Sequence, residues 1–350
     1  MSRITFIIIV LLLSSCKEDD TTVSVPPSYI VPVLPAICNY SIDDFTELAE
    51  NKDSIVDLSA CVVGGLENYI EVEKYSYSYP CFNPNNAEEI AYIRRKNGVF
   101  TGCNFELWTF NFCTGEKRFV TDGICYSIDW SVKDWLVFTG QDRQLYKVKS
   151  NGDSLLQLTF SGNFNSFAMW NSIGDKLAYV KSTDGSEFYL TDSDGIHTDT
   201  IPEMILGAYW HWSLTDKYFS CVTRNADNEM APAIFNLADR EFLTMSHVDP
   251  TIYGYIHDTD WISETEMVWL GTGKSSSIGF NDIITQEERI LAKGYQNRKY
   301  HNLAVSPDGS SIVTEREDLF QISDCDIEVR RNLYIIDVDG SNERIIKIPE

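Results

Sequence analysis

Residues 304–315 read AVSPDGSSIVTE, and residues 332–345 read NLYIIDVDGSNERI. Each joins a β-rich run to a turn-forming Gly, and the same order recurs upstream. A short strand ends in an aromatic residue and Ser; a polar turn, a two- or three-residue apolar run and further strands follow. The anchors are Phe82, Trp130, Trp170, Trp212 and Trp261, with Val305 at the equivalent place in the opening stretch. They are spaced 48, 40, 42, 49 and 44 residues apart. A period in the forties with several strands per unit marks a propeller blade.

The runs after the anchors are Ile90-Ala91-Tyr92, Leu136-Val137-Phe138, Leu177-Ala178-Tyr179, Tyr218-Phe219, Met267-Val268-Trp269 and Ile312-Val313. Third and fourth strands follow. Between them stand Thr114-Gly115, Asn151-Gly152, Asp194-Gly195 and Asp339-Gly340, whose Gly supplies the positive φ that tight hairpins need. The expected fold is all-β: a six-bladed β-propeller of four-stranded antiparallel blades over residues 75–350, with seven blades as the alternative. Residues 36–74, which include SIVDLSACVVGG, are expected to form a β-rich lead-in packed on the propeller.

The first residues carry a different signal. A short basic start at Arg3 precedes ITFIIIVLLL at residues 4–13, then Ser14-Ser15-Cys16. This almost unbroken apolar run of ten residues is too short to span a bilayer, so residues 1–15 read as a cleaved signal peptide. Leu13-Ser14-Ser15-Cys16 resembles a bacterial lipobox, which predicts that Cys16 is lipidated with acyl chains such as palmitate. Several chains together give stable anchoring. Lys17-Glu18-Asp19-Asp20 is similar to the export signal of Bacteroidetes-type surface lipoproteins, so the expected address is the outer membrane, at the cell surface or the periplasmic face. Residues 16–35, rich in Thr, Ser, Val and Pro, read as the lipidated Cys and a flexible tether.

The chain carries a formal charge of −24, and loss of Arg3 on cleavage makes it −25. So acidic a chain, with no basic stripe, excludes nucleic acid as a partner. Nine cysteines include Cys16. The other eight allow 105 pairings, and their spacing does not choose among them; none forms a C-x-x-C.

The opening stretch resembles the repeat of the TolB-like propellers, relatives of the WD-type repeat, whose pattern runs W-S-P-D-G, a β run, then I-Y-x-x-D-x-D-G. The match is close in the last unit and fair in the second to fourth. In the first unit Asn83-Pro84-Asn85 replaces S-P-D, and the fifth lacks the Gly turn. The resemblance covers about four-fifths of the chain. It implies an envelope protein that binds protein partners, although TolB proteins are soluble and periplasmic whereas this chain has its own lipobox.

Catalytic motifs fail on inspection. Gly271-Thr272-Gly273-Lys274-Ser275 lacks the first Gly of a phosphate loop, since Val268 stands there. Asp192-Ser193-Asp194-Gly195 begins like a calcium loop but has no closing Glu; its counterpart Asp337-Val338-Asp339-Gly340 marks it as a hairpin turn. There is no G-x-S-x-G and no H-E-x-x-H.

The remaining candidate is the funnel mouth, where the first strands of the blades converge. Four residues before the anchors lie Ser78, Tyr126, Ser166, Ala208, His257 and His301. His257 and His301 share one blade position in adjacent blades, with Asp258 and Asn302 next to them. His257, Asp258, His301, Tyr126 and Tyr300 form the candidate ligand-binding set. Two imidazoles and a carboxylate also suit a divalent metal, although no cofactor is expected. One residue before the anchors come Asp129, His211 and Asp260; a two-residue strand period puts them on the opposite face from the first set.

Two classes of function follow. One is a non-catalytic module, tethered by its lipid anchor, that binds an envelope protein or a glycan. The other is a metal-assisted polysaccharide lyase of the oligogalacturonate type using His257 and His301. For the lyase, basic residues near the funnel are needed to draw in an anionic polymer, and Arg143, Arg224, Arg298 and Lys299 are the ones to locate. A structural subunit of an outer-membrane complex is a third reading. The absence of a catalytic motif favours the module.

Overall fold

The computed structural model describes residues 40–42, 68–98, 102–182, 186–201, 210–224, 230–244, 255–272, 276–295, 297–323 and 325–350, all within the unit Pro32–Glu350. Cys16, the signal peptide, the tether, Ala208 and the side chain of His257 lie outside the described residues. Every described element is a strand.

Two short strands come first, β1 (Tyr40–Ile42) and β2 (Asn68–Glu71). A seven-stranded sheet follows: β3 (Tyr75–Asn83), β4 (Asn86–Lys96), β5 (Phe105–Asn111), β6 (Lys117–Trp130), β7 (Trp135–Gly140), β8 (Leu145–Lys149) and β9 (Leu156–Gln157). The next sheet has β10 (Phe164–Trp170), β11 (Lys176–Ser182), β12 (Ser186–Asp192) and β13 (Thr198–Thr200). Then come β14 (His211–Trp212), β15 (Tyr218–Arg224), β16 (Met230–Asn236) and β17 (Glu241–Thr244). A third set of four is β18 (Tyr255–Trp261), β19 (Glu266–Thr272), β20 (Ser277–Asp282) and β21 (Glu288–Ala292). The last sheet contains β22 (Arg298–Val305), β23 (Ser311–Gln321), β24 (Asp326–Asp337) and β25 (Arg344–Ile346). Here β1 pairs antiparallel with β25, and β2 lies parallel to β24.

These are propeller blades, antiparallel meanders of four strands. The seven-stranded sheet holds two of them joined through β6. Its first half pairs with β5 and its second half with β7, and Gly123, at φ +77, turns the strand between the two roles. The outermost strand of one blade thus continues without a break into the innermost strand of the next.

Packing explains why the apolar runs after the anchors are continuous rather than alternating. Each second strand is buried on both faces, and successive residues enter different cores. Ile90 and Tyr92 pack with Val313, Leu333 and Ile335 of the last sheet, whereas Ala91 and Ile93 pack with Ile128, Leu136 and Phe138 of the next blade. Likewise Leu177 joins Val137 and Leu158, while Ala178 joins Trp210, Phe219 and Phe235. Met267 meets Ile234, whereas Val268 meets Ile312 and Ile336. The core is therefore a series of slabs between neighbouring blades, closed by the slab that joins first blade to last.

The recurring anchors also staple blades together. Trp212 Nε1 donates to the Met169 carbonyl and Trp261 Nε1 to the His211 carbonyl, each at 3.2 Å and each into the preceding blade. Carboxylates reach the other way: Asp129 accepts from Trp170 N and Asp260 from Val305 N, both at 2.6 Å. A charged acceptor makes each of the latter worth about 1.5–3 kcal/mol. The Ser after the anchor tightens the hairpin, as Ser131 Oγ accepts from Trp135 N and Ser306 Oγ from Ser311 N. Gly115, Gly152, Gly195 and Gly340 all have positive φ, as the Asx-Gly and Thr-Gly turns predict. At Gly340 a Cβ would also sit 2.4 Å from the Leu291 carbonyl of the preceding blade.

Of the eight cysteines beyond Cys16, Cys103 and Cys125 form a disulfide, Cys113 and Cys325 are also disulfide-bonded, and Cys81 and Cys221 are buried thiols.

Candidate functional site

The residue before each anchor, Cys81, Asp129, Met169, His211, Asp260 and Ala304, lines one cavity of about 200 Å³. This is the central channel. Three of the residues four before the anchors, Ser78, Tyr126 and His301 of the first, second and last blades, line a second, adjoining cavity of about 390 Å³.

A recurrent bulge separates the two sets. Register shifts occur between Ser78 and Cys81, Tyr126 and Ile128, Ser166 and Met169, Ile256 and Asp258, and His301 and Leu303. Tyr79, Ser127, Phe167 and Asn302 each adopt positive φ at the same blade position. The extra residue corrects the expectation of opposite faces. Tyr126 and Asp129 pair with Thr139 and Val137, which are two apart and hence on one face. The two positions sit roughly 7 Å apart along that face. No Gly marks these bulges, so the sequence pattern does not reveal them.

In the channel, His211 stands between two carboxylates, Nδ1 3.4 Å from Asp260 and Nε2 3.9 Å from Asp258. Burial pushes the Asp258 carboxyl up to about 7 and the Asp129 carboxyl up to about 6. Burial opposes charge on His211, yet Asp260, Asp258 and Asp129 together hold its imidazole above the ordinary value. The carboxylates are committed to backbone: Asp258 accepts from Leu303 N and Thr259 N, both at 2.9 Å. Ser127 Oγ accepts from Phe167 N, and burial raises the Cys81 thiol well above its ordinary range, which makes it a poor nucleophile. The channel side chains join neighbouring blades.

The second cavity is the seam cleft. His301 pairs with Glu315 across β22 and β23, and Asn302 Nδ2 donates to Glu315 at 3.1 Å. Burial pushes Glu315 up to about 7 and holds His301 below its ordinary value, so the imidazole is neutral at neutral pH. Glu71 of β2 stitches the seam: its Oε1 accepts from Arg95 of the first blade at 2.8 Å and from Arg331 of the last at 2.6 Å. Arg331 also donates to Glu317 at 2.7 Å. Tyr126 remains 39% exposed, its ring edge-on to Phe164.

Of the candidate set, His301 and Tyr126 meet in the cleft, while Asp258 belongs to the channel. Tyr300 does not reach either cavity; it is buried and its hydroxyl donates to Glu343 at 3.1 Å. Among the described residues no group of three His, Cys, Asp or Glu side chains is placed to hold a metal ion. Arg298 is buried against Asp318 at 2.9 Å, Lys299 faces Glu317 at 3.8 Å, and Arg143 is exposed over the Phe164 ring. Arg95, Glu315 and Arg331 escaped sequence reasoning, because they come from second and third strands at opposite ends of the chain.

Comparison with solved structures agrees with this architecture. TolB from Acinetobacter baumannii matches at 15% identity and TM-score 0.50 over 61% of this chain and 53% of that one. The putative TolB from Agrobacterium tumefaciens matches at 17% identity and TM-score 0.57 over 69% and 88%. The chain has the TolB-like β-propeller fold. An oligogalacturonate lyase from Vibrio parahaemolyticus shares this propeller fold at 13% identity and TM-score 0.50, over 77% of each chain. The match covers about half the length of the Acinetobacter protein. No protein-family model matches the chain, and no curated protein matches it in sequence.

Proposed function

We propose that this chain is a non-catalytic binding propeller of the bacterial cell envelope, anchored in the outer membrane by lipid on Cys16 and taking a protein or glycan ligand in the seam cleft. The observation that carries this reading is the contrast between the two cavities. Channel carboxylates are bonded to the amides of neighbouring blades, whereas the cleft keeps an accessible aromatic ring beside polar side chains from two blades. A ring of six blades is supported by the six residues that precede the anchors, all of which line one channel. The slab between first and last blades supports closure.

A lyase acting on an anionic polysaccharide has less support. Arg298 and Lys299, which would attract such a polymer, face Asp318 and Glu317 instead, and the channel is lined by three Asp. A subunit of an outer-membrane complex would share the binding reading and its test.

The test places a photoreactive benzoylphenylalanine at position 126 of the full chain in intact cells. A discrete adduct that weakens with His301→Ala is expected. No adduct at 126, with adducts from other exposed positions, would overturn the cleft as the binding site. Labelled palmitate should enter the wild-type chain and not Cys16→Ser; equal labelling of both would refute the anchor.

A further inference from the structure

Resting on that reading, we infer that the ligand of the seam cleft is a neutral saccharide, held by Tyr126 on its apolar face and by His301, Asn302, Glu315 and the two arginines at its hydroxyls. Size favours a small organic ligand. The cleft, at about 390 Å³, falls within the roughly 300–1,000 Å³ range of small-molecule sites, and the channel, at about 200 Å³, falls below it.

Charge then narrows the class. Arg95 and Arg331 are the cations of the cleft, and both are already paired. Glu71 binds the two together, and Glu317 takes Arg331 a second time. Arg95, Arg331 and the neighbouring Lys299 are thereby set against Glu71, Glu317 and Glu315, which leaves little net positive field for a uronate, a phosphate or an acidic peptide. Glu315 is 8% exposed, has one oxygen bonded to Asn302, and sits opposite the His301 imidazole. The same balance leaves little net negative field for a lysine-bearing ligand.

What remains is a wall that both donates and accepts hydrogen bonds with little net charge. Vicinal sugar hydroxyls make the same double demand, and planar side chains such as carboxyl, carboxamide and guanidinium meet adjacent hydroxyls in pairs. A pyranose ring also presents a flat C–H face, which matches the face of a half-exposed aromatic ring with a polar tip. Tyr126 is held in that pose by Phe164, at a ring separation of 5.8 Å.

The test is calorimetric titration of the full chain, purified in detergent, with maltotriose, cellotriose, mannotriose and chitotriose, and with trigalacturonate as the anionic comparison. At least one neutral trisaccharide should bind with Kd below about 1 mM, tighter than trigalacturonate by tenfold or more. Tyr126→Ala should weaken it at least tenfold, Tyr126→Phe should restore it to within threefold, and Leu214→Ala at the channel mouth should leave it unchanged. Preferred binding of trigalacturonate, binding indifferent to Tyr126→Ala, or no neutral saccharide bound would each overturn the inference. Adducts at position 126 distinguish this failure from that of the binding reading. A protease-sensitive protein adduct would keep the cleft as a binding site and replace the saccharide with a protein, whereas no adduct would remove both.

Discussion

Two histidines, each with acidic neighbours, sit in adjoining cavities of this propeller and behave oppositely. His211 is flanked by Asp258 and Asp260 and holds its proton more tightly than free imidazole; His301 lies opposite Glu315 and holds its own less tightly. The difference lies in what else the carboxylates touch. Among the described residues the channel carboxylates face His211 as the one base and use their remaining oxygens on strand amides. In the cleft, arginines answer the acids, so His301 is left with burial and loses charge. Residue type alone does not separate a structural histidine from one available to a ligand; the neighbours do.

The largest expected effect breaks the channel side of this contrast. Asp258→Ala leaves the amides of Leu303 and Thr259 without their acceptor in a buried site, which should cost about 3 kcal/mol in chemical denaturation. Glu315→Gln, by comparison, keeps shape and hydrogen bonding and should cost under about 1 kcal/mol. Equal losses in the two variants would erase the distinction.

Next in size is the response to pH. Asp258, Asp129, Glu315 and His211 all bind protons more tightly in the folded chain, so folding takes up protons at these sites. For the carboxyls this stabilisation is fully present below about pH 4 and is lost from there up to about 6 to 7; for His211 it is lost above the ordinary imidazole range. Each such proton changes stability by about 1.4 kcal/mol per pH unit while it is being released. His301, held low, works in the opposite sense and gives up stability as pH falls. The melting temperature should therefore be higher near pH 5.5 than near pH 8, with a smaller difference in Asp258→Asn. A stability that rises over the same interval would contradict the channel assignment.

A smaller effect concerns the staples. Trp261→Phe keeps a large ring in the slab but removes the hydrogen bond to the His211 carbonyl, at about 1 kcal/mol. Smallest of all is Tyr126→Ala, which should change stability by under about 1 kcal/mol, since its ring is partly exposed and packs edge-on against Phe164 alone among the aromatic rings described. A large stability loss there would turn the cleft tyrosine into a packing residue.

The blades were legible because their requirements are local. An anchor, a Ser-capped turn and a run buried on both faces recur wherever one blade packs on the next, and these leave a period in the chain. The cleft was only half legible. Tyr126 and His301 could be found because they hold one position relative to the anchors. Arg95 and Arg331 could not, because they meet only when the first and last blades do, and Glu71 joins them from a strand outside the repeat. The bulges at Tyr79, Ser127, Phe167 and Asn302 stayed hidden because residues that normally avoid positive φ adopt it there under tertiary constraint. The same bulges set channel and cleft residues at different heights on one face.

The most direct measurement of that division is paired photocrosslinking in intact cells, with benzoylphenylalanine at position 126 in the cleft or at position 214 on the rim of the channel. Ligand adducts from 126 and none from 214 are expected. Adducts from 214 alone would mean that the channel is the binding site and that its carboxylates do more than join blades.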